Sequence, residues 1–174
     1  MNRSAPAPLR VSIALGLVPL LGFTLAACRS DPEAEAEVSA PGAERTLAAH
    51  EVVRGGTGGV AERCVRVART REELADLWAE LYGLQSPVPP VPDVDLETSM
   101  VVAVFMGTRP SGGYGIEIAG VAARTATPDA PAEVLVRVRE TRPGEGDAVT
   151  MAMTAPFHLV VVERAEGAAR LDAR

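Results

Sequence analysis

Between residues 100 and 163 the chain reads as a succession of strands, and this run limits the fold more than any other feature. Residues 100–105 form a continuous apolar run, the pattern of a strand covered on both faces. Residues 114–121 alternate, with Tyr114, Ile116 and Ile118 on one face and Glu117 on the other. Residues 133–140 alternate too, placing Val134, Val136 and Val138 inward and Arg137 and Arg139 outward. Residues 149–153 and 158–163 complete the set, with Asp129-Ala130-Pro131 and Arg142-Pro143-Gly144 as connections. Upstream, residues 51–54 and 63–68 are shorter strand candidates joined by the turn Gly55-Gly56-Thr57-Gly58-Gly59.

A single helix is expected, over residues 70–81. Thr70 and Glu73 form a capping box, and Leu74, Leu77, Trp78 and Leu81 recur on one face. Gly83 is placed to end it, and Trp78 to anchor it in the core. Pro87-Val88-Pro89-Pro90-Val91-Pro92 then excludes helix interior and central strand, so it is an extended crossing loop. Many strands with one early helix predict an α+β domain: a mostly antiparallel sheet with one principal helix packed on one face.

The N-terminal segment belongs to targeting rather than to this domain. Arg3 and Arg10 precede an uncharged, mostly apolar stretch, and Leu25-Ala26-Ala27-Cys28 closes it. Such a segment reads as a lipoprotein signal peptide over residues 1–27, cleaved before Cys28, whose sulfur receives the lipid. The alternative, a transmembrane helix, would be short against the ~20 residues usually needed, and Gly16, Pro19 and Gly22 interrupt it. The expected location is therefore the bacterial cell envelope. Arg29, rather than an aspartate, follows Cys28 and favours the outer over the inner membrane. Residues 28–46, rich in Glu, Ala, Pro and Ser, are expected to be a disordered tether. The globular domain is expected over residues 47–166, and residues 167–174 as a disordered tail.

Composition removes several function classes. The formal net charge is −6, and the basic residues are all Arg without a dense cluster, which argues against nucleic acid and against docking on anionic lipid. With Cys28 lipidated, Cys64 is the only remaining thiol, and its place in an alternating stretch suits a small buried hydrophobe. His50 and His158 are the only histidines, no His/Cys spacing suits zinc, and no cofactor motif is present. Asp93 and Asp95 alternate on an extended segment and read as solvated. A Ser111, His158 and Asp triad lacks the nucleophile elbow that a hydrolase of the Gly-x-Ser-x-Gly type would place around Ser111, so no enzyme is expected.

The densest motif is Phe105-Met106-Gly107-Thr108-Arg109-Pro110-Ser111-Gly112-Gly113-Tyr114. Glu140-Thr141-Arg142-Pro143-Gly144 follows, and then Thr154-Ala155-Pro156-Phe157-His158. Gly112 and Gly113 allow a tight reversal, Pro110 stiffens its start, and Tyr114 can bury its ring while its hydroxyl reaches a backbone partner. The loop is either a structural turn or a recognition loop, with Arg109 the natural contact residue in the second case. Thr154, Pro156 and His158 are expected beside it. Taken in order, these stretches resemble the C-terminal domain of the PrcB family, over roughly residues 65–164. Phe157 stands where tyrosine is common in that family. The resemblance implies a non-catalytic, exported domain that assembles or stabilises a partner, a protease among the candidates; oligomeric state stays open. A second reading is a peptidase inhibitor. Pro110-Ser111-Gly112-Gly113-Tyr114 is loosely similar to a loop of the chagasin-type inhibitors, all-β sandwiches that the helix over residues 70–81 does not fit.

Overall fold

The computed structural model describes residues 40–83 and 85–172. The expected signal peptide, Cys28 and residues 28–39 of the expected tether lie outside the described residues. The elements in chain order are β1 (Glu44–Leu47), β2 (Ala49–Gly55), β3 (Cys64–Ala68), α1 (Arg71–Tyr82), β4 (Ser99–Phe105), β5 (Gly115–Arg124), β6 (Glu133–Thr141), β7 (Phe157–Glu163) and β8 (Ala168–Asp172). They form two four-stranded sheets, ordered β1-β5-β6-β8 and β2-β7-β4-β3. Every pairing is antiparallel except β6 with β8, which is parallel.

Among the described residues the fold is thus mainly β with one helix, and two sheets replace the single one expected. The reason lies in β4 and β7. Met100, Val102 and Val104 of β4, with Val160 and Val162 of β7, join Leu47, Ile116, Val121, Val134 and Val136 of the other sheet in one buried core. Val101, Ala103 and Phe105, with Phe157 and Leu159, form a second core with Leu74, Leu77, Trp78 and Leu81 of α1. A strand pair that is apolar on both faces needs two covers, and one short helix can supply only one. Sheet β1-β5-β6-β8 supplies the other.

The helix forms as its local signals predict. Thr70 caps it and Glu73 closes the reciprocal box. Gly83 follows the last turn but keeps right-handed helical angles (φ −59°), so the helix does not end in a left-handed cap. Trp78 is buried, and its indole N–H donates to the carbonyl of Pro89 at 2.8 Å, which ties the proline-rich crossing loop to α1. Cys64 is half-buried against the α1 core.

Two boundaries and one element differ from expectation. Residues 44–46, assigned to the tether, are part of β1, where Glu44 meets Arg124 of β5. Residues 167–174 are not a disordered tail throughout, because Ala168–Asp172 adds to the free edge of β6. Ala169 and Leu171 pack against the inter-sheet core, and Arg170 donates to Glu133 at 2.9 Å. Residues 149–153, expected as a strand, form bends and coil with Met151 and Met153 exposed, having no neighbouring strand to pair with.

Candidate functional site

Three connections meet at one end of the two sheets. In the register of the ladders, Gly55 and Phe105 lie opposite Phe157, Cys64 opposite Phe105, and Gly115 opposite Thr141. The connections β2–β3, β4–β5 and β6–β7 therefore emerge side by side. The last two are crossovers between the sheets, and they carry the three motif stretches. Residues far apart in sequence thus form one surface.

The crossovers are stitched together by backbone. The Arg109 amide donates to Thr154 O at 2.7 Å, and the Thr154 amide returns a bond to Arg109 O at 3.0 Å. The Gly112 amide donates to Thr150 O, the Met106 amide to Pro156 O, and the Thr154 hydroxyl to Ser111 O. Gly107 (φ +78°) and Gly113 (φ +83°) occupy the left-handed region, where a side chain is strained. A Cβ at Gly113 would also lie 3.0 Å from Pro143 and from Val149. The Pro143-Gly144 stretch is thereby fitted against the Gly-Gly-Tyr turn. Glu140 secures it from the other side, accepting from Arg63 Nε at 2.9 Å; that bond, aided by Arg142, holds its carboxyl below the usual range.

Arg109 is half-buried, with its guanidinium 6.0 Å from the centroid of the Tyr114 ring. The only hydrogen bond of that guanidinium among the described residues goes to Thr108 O at 3.3 Å, and it has no carboxylate partner there. The Tyr114 ring packs against the inter-sheet core, but its hydroxyl has no backbone partner among the described residues; the ring supports Arg109 instead. Beside these loops opens a groove of about 490 Å³, lined by Thr57, Gly58, Gly59, Val60, Ala61, Leu81, Gln85, Thr108, Met153, Thr154 and Ala155. No charged side chain lines it. Met153, which lines it, is 71% exposed.

His158 departs from the expected surface. It shares the inward parity of Val160 and Val162 and is 4% exposed between the sheets. Its Nδ1 accepts from the Ile118 amide at 2.8 Å, and its Nε2 lies 3.1 Å from Glu51 Oε2. Burial, the largest influence, pushes the imidazole below its ordinary value against the opposing pull of Glu51. Both nitrogens are occupied, so neither serves Ser111, whose hydroxyl donates to Gly112 O. Among the described residues no cluster of acids, His and Cys could hold a metal ion.

Gly107, Arg109, Pro110, Ser111, Gly112, Gly113, Tyr114, Thr154 and Pro156 therefore come together as expected, while His158 turns inward. The wall formed by residues 57–61 was legible in the sequence only as a turn. Its density of glycine was the one available signal, since a pocket wall depends on what lies opposite.

No curated protein and no solved structure matches this chain. The family model described as PrcB C-terminal matches residues 100–163, narrower than the span over which the motifs resemble that family. The matched stretch runs from β4 to the end of β7 and contains all three motifs. Over this stretch, which supplies both crossover loops and the strand pair at the centre of the fold, the chain matches the PrcB C-terminal family model.

Proposed function

We propose that this chain is a non-catalytic accessory protein of the bacterial cell envelope, held to a membrane through lipid on Cys28, that binds an exported partner. A protease is the first partner to test, because the family takes its name from a protease-complex subunit. The observation that carries the reading is the pairing of Arg109 with the groove. An arginine braced on Tyr114 yet lacking a carboxylate among the described residues stands beside an uncharged groove lined in part by the exposed Met153. That combination suits a partner segment with an acidic group for Arg109 and apolar side chains for the groove.

The test is affinity capture from the native envelope with the full lipidated chain as bait, comparing wild type, Arg109→Ala and, as a surface control, Arg139→Ala. The expected result is one partner retained by wild type and Arg139→Ala and reduced about tenfold by Arg109→Ala, with circular dichroism unchanged. Identical capture by all three would remove the loop as the contact surface. Activity of a captured protease, assayed with and without the purified chain, separates an accessory subunit from an inhibitor. The inhibitor reading gains one point from the structure, since two packed sheets remove part of the mismatch with all-β inhibitor folds.

A further inference from the structure

The His158 side chain joins three elements where two ladders are irregular. The β5–β6 register shifts between Ile118 and Gly120, and the β2–β7 register shifts between Glu51 and Val53. Ile118 and Glu51, the two partners of the imidazole, sit at these shifts. A β-bulge redirects backbone and side chains locally, and both bulges here turn a polar group toward the same buried ring.

The geometry also fixes the proton. A backbone N–H can only donate, so Nδ1 must present its lone pair to Ile118, and the single proton of the neutral ring sits on Nε2, facing the Glu51 carboxylate. A second proton has one place to go, Nδ1, and there it would confront the Ile118 N–H donor to donor across 2.8 Å. We propose that His158 is an acid-sensitive latch: protonation of Nδ1 ejects the Ile118 amide and loosens the two sheets at the end that carries the crossover loops.

The surroundings set how the latch responds. From β2, Glu51 favours the imidazolium and Arg54 opposes it; from β5, Glu117 favours it; the facing stretch of β4, residues 103–105, has no titratable group. Burial outweighs the carboxylates, so the closed form resists the proton that an opened form accepts in the ordinary histidine range. The sign follows. Above that range neither form is protonated and the latch is at full strength. As pH falls through it, the open form alone gains a proton and the latch weakens. His158 lies only two residues beyond Pro156, and Ile118 four beyond Tyr114, so the loosening reaches the loops directly.

Amide exchange tests this in the intact chain. Protection of Ile118, corrected for the intrinsic pH dependence of exchange and divided by that of Val102 in β4, is expected to fall about tenfold from about pH 7.5 to about pH 5.5. His158→Asn keeps an acceptor for Ile118 but cannot titrate, and its ratio is expected to stay constant. Imidazole nitrogen spectra should give the Nε2–H tautomer for His158. A constant wild-type ratio, an Nδ1–H tautomer, or the same pH response in His158→Asn would overturn the latch. Should His158→Asn not fold, the wild-type ratio and the tautomer settle the matter alone.

Discussion

Gly107 joins β4 to the first crossover, and its geometry admits almost nothing else. Its φ is +78°, and a methyl there would lie 2.8 Å from Ala61 O and 3.0 Å from the Arg63 amide nitrogen. Both are backbone atoms and cannot swing away. Gly107→Ala is expected to cost about 2–3 kcal/mol, from left-handed strain and from the close approach together. Urea unfolding measures it; a loss below about 0.5 kcal/mol would mean that the loop relaxes freely. In the sequence Gly107 reads as a motif position, but its neighbours Ala61 and Arg63 lie far upstream and only the fold brings them near. His158 is the parallel case. Its motif position was legible, but its inward turn and its two partners, Ile118 and Glu51, could not be read.

Among the elements, α1 was the most legible because its signals are local. The Thr70 hydroxyl accepts from the Glu73 amide at 3.2 Å, and the Glu73 carboxylate accepts from the Thr70 amide at 3.1 Å. Thr70→Ala is expected to cost about 1 kcal/mol in thermal or chemical unfolding, with the surface around Arg109 unchanged in partner capture. Loss of capture in that variant would show that α1 helps shape the partner surface. The strands were legible where a full alternation or a continuous apolar run exists, as in β4, β5 and β6. Residues 149–153 carry a similar pattern and are no strand, because hydrogen bonding needs a partner edge that their position lacks. The β8 stretch shows the converse: its sequence is weak, but β6 offers it a free edge and Glu133 an arginine site.

For the molecule as a whole, β8 completes the β1-β5-β6-β8 sheet, and the connection that leads into it secures the α1 side as well. Arg69, just before α1, donates to Ala165 O at 3.1 Å and Gly167 O at 2.7 Å, while Arg164 donates to the carbonyls of Arg69 and Leu96. Across the sheet, Glu44, Arg124, Glu133 and Arg170 alternate in charge from β1 to β8. Removing residues 168–174 exposes core around Ala169 and Leu171 and breaks that row, with an expected cost of about 2 kcal/mol and a fall in Tm of roughly 8 °C. An unchanged Tm would make β8 an appendage. Local order was written in the chain directly: the helix, its cap, the apolar strands and the motif loops follow from periodicity and turn chemistry, which act between near neighbours. The pairing of two sheets, the fit of Pro143-Gly144 against the Gly-Gly-Tyr turn, the groove wall and the inward histidine came only with the tertiary structure. These depend on which faces and edges meet across long separations, and one-dimensional pattern shows that a face must be covered without showing what covers it.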